Sequence, residues 1–260
     1  MAIIDSLVSY YKLDEASGNA IDAHGSNDLG DVTDATHGVT GKINDCWDTR
    51  ASGGAAEGVV SGFPTSDTSF SCNYWSDSDT TGNNHHMVGW SDSANDNNRI
   101  QMWIDGSVYF FRSEDVMQSW STGITPNTDQ FDMVTWTYNA TTNEILLYIN
   151  GSEVADSTVT YTGTAGTTFS LFQNSVGSYQ HTGSLDEVGV WTKTLNSSEI
   201  TSLYNSGSGL AYPFSQSINF QLNIGDVWKE VTGMQINIGD SWKQVAGAQI
   251  NIGDSWKTIF

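Results

Sequence analysis

The chain has 260 residues, room for one large domain and a small appendage. Ten tryptophans and 12% aromatic content exclude a disordered chain, and three prolines against 26 glycines suit ordered strands joined by many turns. A formal net charge of −21, from 30 acidic against nine basic residues, excludes nucleic acid as a partner and leaves a solvated acidic surface.

No apolar run approaches the ~20 residues that cross a bilayer as a helix, so no membrane partner is expected. The opening MAIIDSLVSYYKLDE has no basic segment followed by an apolar core, so it does not read as a secretory signal. Two cysteines, Cys46 and Cys72, are too few for a disulfide scaffold. Both fall in strand-like runs, where buried free thiols are expected; a bridge between them is the other arrangement.

Alternation of apolar and polar residues predicts strands in chain order. Leu7 to Leu13 is the first and Phe70 to Trp75 the next. His86 to Trp90, Arg99 to Ile104 and Val108 to Arg112 predict a meander, with Asp105-Gly106 as a hairpin turn. Phe131 to Asn139 pairs with Glu144 to Asn150 across residues 140–143, and Asn150-Gly151 turns into Glu153 to Thr158. Ser170 to Gln173 and Ser184 to Trp191 close the set. A capping box, Asn196 to Glu199, predicts one helix, and Asn205 to Pro213 reads as a linker. This spacing of strands and turns predicts an all-β, two-sheet jelly-roll sandwich.

The last forty residues repeat with a period of fourteen: QLNIGDVWKEVTGM, QINIGDSWKQVAGA and QINIGDSWKTIF. Each copy predicts a β-hairpin whose Gly-Asp supplies the positive φ of a tight turn. Three such hairpins bury too little to stand alone, so they are expected to dock on copies of the chain or on a larger body. Trp228, Trp242 and Trp256, with Ile238, Ile252 and the terminal Phe260, are the candidate oligomerisation residues. Adjacent His85-His86 near Asp77 and Asp79 read as a solvated pair rather than a zinc site, because neighbours on a strand point opposite ways.

The segment GSLDEVGVWTKTLNSSEITSLY, Gly183 to Tyr204, resembles the closing strand and helix of concanavalin A-like, laminin G-like jelly-roll domains. There a Gly-x-Ile-Asp-Glu-Val-x-Ile strand precedes a Leu-Ser-x-x-Glu-Ile helix. Val8 to Asn27, Thr68 to Ser76 and Asp132 to Gly151 resemble the family's opening strand and loop, its Phe-Thr-Ile-x-x-Trp strand and its central hairpin. The resemblance spans roughly residues 5–213; Phe131 stands where the family's central strand usually has Trp, and Asn-Asp-Cys at 44–46 replaces Gly-Asn-Ala. The tail is similar to Gly-Asp-x-Trp-Lys repeats at the ends of structural proteins of tailed bacteriophages.

The resemblance implies a concanavalin A-like domain over 1–213, followed by a three-copy repeat tail over 214–260. It implies carbohydrate binding as the common non-catalytic role. Aromatics on the polar side of alternating strands, Trp75, Trp103 and Tyr109, are the candidates to stack on sugars, with Asn98 and Arg99 at the rim. Tyr74, Met102, Ile104, Val108 and Phe110 would then face the core; a slip of one residue inverts that assignment. The opening loop is rich in hard oxygen ligands and its family counterpart lies near the Asp-Glu strand, so Asp22, Asn27 and Asp186 form a candidate Ca²⁺ site. The competing reading has Asp22 and Asn27 making Asx turns and Asp186 accepting backbone amides.

Glycoside hydrolysis needs two carboxylates facing one bond. Asp186 and Glu187 are adjacent, and alternation points them apart, so the chain is not expected to be an enzyme. The sequence thus reads as a non-catalytic virion-surface, fibre or capsid-decoration protein that engages glycans or a host-surface polysaccharide. The tail would bind copies of itself, a trimer first, or other virion proteins. The alternatives are an adhesion module of a bacterial surface protein and a glycoside hydrolase of the same fold.

Overall fold

The computed structural model describes residues 3–33, 35–51, 53–65, 67–79, 85–91, 99–113, 118–128, 130–161, 166–174 and 179–214, with six short strands beyond Ser215. The chain divides into two units, Met1–Phe214 and Ser215–Phe260.

In the first unit the strands are β1 (Leu7–Tyr11), β2 (Gly30–Thr33), β3 (Thr36–Thr40), β4 (Asp45–Asp48), β5 (Ala55–Val59), β6 (Phe70–Ser78), β7 (His85–Ser91) and β8 (Ile100–Asp105). They continue as β9 (Val108–Ser113), β10 (Gln118–Ser121), β11 (Asp132–Asn139), β12 (Glu144–Ile149), β13 (Ser152–Thr158), β14 (Thr168–Leu171) and β15 (Gly183–Trp191), followed by α1 (Ser197–Tyr204). One sheet has the order β13-β12-β11-β6-β15-β4-β3, with β1 also paired to β15; the other runs β10-β9-β8-β7-β14-β5-β2. Apolar residues at every second position turn inward from both sheets. Phe70, Tyr74, Trp136 and Val190 meet Trp90, Met102, Phe111 and Phe169, all fully buried. Phe70 packs edge-on against Trp90 at 5.2 Å and Phe111 lies 5.7 Å from Trp136. Cys46 and Cys72 are free and buried.

A second apolar layer covers the outer face of the eight-stranded sheet. Tyr10, Trp75, Met133 and Trp191 lie under Leu195, Ile200 and Leu203, with Leu210, Tyr212 and Phe214 packed against them. The helix begins where its capping box places it: the Asn196 side chain accepts from the Glu199 amide at 3.0 Å, and Glu199 accepts from the Asn196 amide at 3.0 Å. The expected linker, Asn205 to Pro213, is part of this cover. Tyr212 stacks on Tyr10 at 5.1 Å because the chain folds back over β1 and β15 to bury their outward rings.

Beyond Ser215 the strands are β16 (Gln221–Ile224), β17 (Val227–Glu230), β18 (Gln235–Ile238), β19 (Ser241–Gln244), β20 (Gln249–Ile252) and β21 (Ser255–Thr258). They pair as three antiparallel two-stranded ladders, with Trp228, Trp242 and Trp256 opposite Asn223, Asn237 and Asn251. Ile238 and Ile252 stand opposite Ser241 and Ser255. The Gly-Asp turns and Phe260 lie outside the described residues.

Candidate functional site

The outer face of the seven-stranded sheet carries a ladder of rings. Phe110 on β9, Trp103 on β8 and His86 on β7 occupy one cross-strand row. Tyr179 extends it, because the Tyr179 carbonyl accepts the His86 amide at 3.1 Å. Ring centroids are 5.1 Å apart from Phe110 to Trp103, 5.5 Å from Trp103 to His86 and 5.6 Å from His86 to Tyr179. Trp103 and His86 are within 6° of parallel. The ladder opens to solvent at Tyr179, which is 55% exposed, and at half-buried Phe110, while Trp103 and His86 are each 5% exposed.

A polar row runs beside the ladder on the same face. Arg112 lies opposite Gln101, Gln101 opposite Gly89, Gly89 opposite Ser170 and Ser170 opposite Glu57. Glu57 Oε2 accepts from Ser170 Oγ at 3.0 Å and from Gln173 Nε2 at 3.2 Å. Gln101 is 1% exposed, yet both its Oε1 and its Nε2 lack a partner. Trp103 Nε1 and His86 Nδ1 are also buried and unpartnered. Burial first, then the charges of Arg99, Arg112 and His85, push the His86 pKa down to about 3, so its ring is neutral with one donor and one acceptor nitrogen. Buried polar groups in folded proteins almost always find partners. Three side chains with unpartnered atoms on one face make it the candidate site for an external polar molecule, with the ladder as its apolar neighbour.

Of the five sequence-derived sugar contacts, the structure places Trp103 and Arg99 here. Asn98 lies outside the described residues. Tyr109 turns into the core, 1% exposed, and its neighbours Val108 and Phe110 face outward, the reverse of the expected alternation. Both faces of β9 carry aromatic residues, so the sequence pattern does not say which is inside. Trp75 points away from the core as expected, but Tyr204 covers it at 5.9 Å and Lys42 Nζ sits 4.7 Å from its ring centre. Trp75 is 2% exposed beneath that cover and belongs to the apolar layer with Leu195, Ile200 and Leu203. Phe110, His86, Tyr179 and Gln101 were not singled out for this face; His85-His86 at the start of a strand beside a ring-rich meander was the available signal.

The three residues proposed for Ca²⁺ do not form one group. Asp22 Oδ1 accepts the amides of Tyr10, His24 and Gly25, and its Oδ2 that of Asn27, all within 3.1 Å. Burial opposes its charge, but the Gly25, Tyr10 and Asn27 amides outweigh burial and lower its pKa. Asn27 is bound to Ser9 and Ser61. Asp22 and Asn27 thus tie the opening loop together. Asp186 belongs to a separate network, accepting the Lys42 and Ile43 amides on Oδ2 at 2.7 and 2.9 Å. Among the described residues no three acidic, His or Cys side chains are placed to hold a metal.

Asp186 and Glu187 do not point apart. Glu187 has φ +51 and the register with β6 shifts between Asp186 and Gly189, a bulge that leaves both Leu185 and Val188 in the core. The two acids therefore share the outer face, where each is at most 1% exposed, with Asp186 Oδ1 and Glu187 Oε2 unpartnered. Burial raises Asp186 to about 8, helped by Glu187 and Asp14 against the Ile43 and Lys42 amides. Burial likewise raises Glu187 to about 7.

The sequence profile of the concanavalin A-like lectin/glucanases superfamily matches residues 52–201, more than half of the chain. Among solved structures, the chain is similar to domain 4 of AbnA, a GH43 extracellular arabinanase from Geobacillus stearothermophilus, in complex with arabinotriose. The TM-score is 0.60 at 17% identity, over 75% of this chain and 97% of that one. It is also similar to the binding domain of Paraclostridial Mosquitocidal Protein 1, with a TM-score of 0.62 at 12% identity over 96% and 72% of the two chains. A third match is botulinum neurotoxin type C, described as entering cells through two ganglioside molecules. Its TM-score is 0.60 at 16% identity over 78% of this chain and about half, 52%, of that one. At these identities the likeness is one of fold. No curated protein matches the sequence.

Proposed function

The chain belongs to the concanavalin A-like lectin/glucanases superfamily, and from that premise we propose that it is a non-catalytic module that binds glycans on the outer face of its seven-stranded sheet. The observation that carries this reading is the ring ladder beside the unpartnered Gln101, Trp103 and His86 groups. A pyranose offers a C–H face that packs on a ring and hydroxyls that both donate and accept. Tyr179 provides the open ring, and the buried groups provide the polar contacts. The structural matches to proteins described with arabinotriose and gangliosides support the ligand class. The acid pair at Asp186 and Glu187 is buried, at most 1% exposed, with the Lys42 and Ile43 amides on Asp186, which supports a role other than hydrolysis.

The test is binding of oligosaccharides by the full chain and by Tyr179→Ala and Trp103→Phe. Removing the open ring or the indole donor is expected to weaken binding by about tenfold each, as for a lost stacking or hydrogen-bonding partner. Chelator is expected to leave affinity unchanged. Wild-type affinity in both variants would sink the assignment of this face.

The tail is an attachment device in this reading. Each ladder has only two strands of four residues, below what stands alone in water. A virion surface, with the tail holding copies together or to a particle, is the setting we favour over a bacterial surface. Light scattering of the full chain against one ending at Phe214 tests it: a multimer should become a monomer, and two monomers would end the idea.

A further inference from the structure

The ring ladder lies in the part of the molecule where the scarce arginines gather. The chain has 30 acidic residues, and its arginines are Arg50, Arg99 and Arg112 alone. Arg50 is committed to Asp48 and Asp77. Arg112 stands in the polar row, opposite Gln101 on β8 and Ser119 on β10. Arg99 immediately precedes β8, next to the Gln101 position of that row, and is 8% exposed. Both charges are felt at His86, in the middle of the ladder. The His86 imidazole adds nothing to this field, since it is neutral. Two acids are described on this face: Glu57, at the far end of the row, already receives Ser170 and Gln173, and Asp105 closes β8 opposite Val108, on the other side of Trp103 from Gln101.

A surface carrying a large negative charge repels anions except where cations are grouped. Two arginines, one opposite and one two residues before a buried amide with both atoms unpartnered, make such a group. A guanidinium has five donors in a fixed fork that matches a carboxylate, so it can serve an anion in addition to partners within the chain. We propose that the glycan bound on this face is acidic, a sugar bearing a carboxylate that is received by Arg112 and Arg99 while its ring packs along Tyr179. Gln101 then donates to and accepts from the same sugar's hydroxyls. This rests on the glycan-binding reading above and names the ligand class of that site.

The experiment uses the full chain and matched probes: trigalacturonate against its methyl ester, and sialyllactose against its carboxyl methyl ester. Each pair keeps the sugar ring and differs in the carboxylate. The acidic member is expected to bind about tenfold or more tightly, the scale of a charge-assisted hydrogen bond, and the preference should fall as salt rises. Arg112→Gln should bring the two members of a pair within about threefold of each other, and Arg112→Lys should restore part of the gap because it keeps the charge without the fork. Equal or tighter binding of the neutral members by the wild-type chain would overturn the acidic-sugar assignment and leave the glycan-binding face standing. Binding of none of the probes, acidic or neutral, would overturn both.

Discussion

Replacing Asp186 with Asn should make the protein more stable at neutral and alkaline pH and change little in acid. Asp186 is fully buried, holds the Lys42 and Ile43 amides on one oxygen and has no partner for the other. Its pKa is about 8 in the fold against 3.8 in the open chain. A carboxyl that keeps its proton in the fold but loses it on unfolding favours the fold at low pH. That stability is fully present below about pH 4 and is lost as pH rises through the folded value. At ~1.4 kcal/mol per pH unit, a gap of about four units sets an upper bound of roughly 6 kcal/mol for the one group. Glu187, raised to about 7, titrates with it, so the two protons belong to the pair and a gain of about 3 kcal/mol at pH 7.5 is the working expectation. Asn imitates the protonated acid: its carbonyl keeps the two amides, and its NH₂ occupies the unpartnered side. The assay is urea unfolding followed by tryptophan fluorescence at half-unit steps from pH 4.5 to 8.5. The difference between variant and wild type should grow by up to ~1.4 kcal/mol per pH unit and then level off. A difference that is flat with pH, or a wild-type protein more stable at pH 8 than at pH 5, would refute the reasoning.

Two further outcomes follow from the described contacts. Asp22→Ala leaves four amides without their acceptor, two of them, on Tyr10 and Asn27, buried, and should cost about 3 kcal/mol in the same unfolding assay; Asp22→Asn should cost less. Asn196→Ala removes the acceptor for the Glu199 amide and should lower stability by about 1 kcal/mol, read as a shift of the thermal midpoint, without altering sugar binding at the other sheet.

The long strands were legible because they alternate over six residues or more: β6, β8, β11, β12 and β15 lie where the pattern placed them. The short ones, β2 to β5, were not. β3, THGVT, alternates between exposed and half-buried positions and carries no apolar stripe to read. The site was half legible. Trp103 stood out as a ring on the polar side of a strand. Tyr109 and Phe110 were exchanged because β9 is aromatic on both faces. Trp75 was oriented correctly, but alternation tells which way a side chain leaves its own sheet and not what the chain later lays over it. The positive φ at Glu187 was invisible for a related reason: a bulge adds a residue without changing the residue types around it. The capping box at Asn196 was readable because its whole mechanism lies within four residues.

The apolar cover on the eight-stranded sheet gives the first unit a front and a rear. Ile3 and Phe214, near the two ends of that unit, both belong to the rear cluster, and the Trp191 indole donates to the Ile3 carbonyl at 2.7 Å. Chain enters and leaves on the side opposite the ring ladder. Copies strung in series or grafted onto another polypeptide could all keep Tyr179 turned toward the medium, so valency would rise with copy number and no copy would have to give up its sugar-facing side.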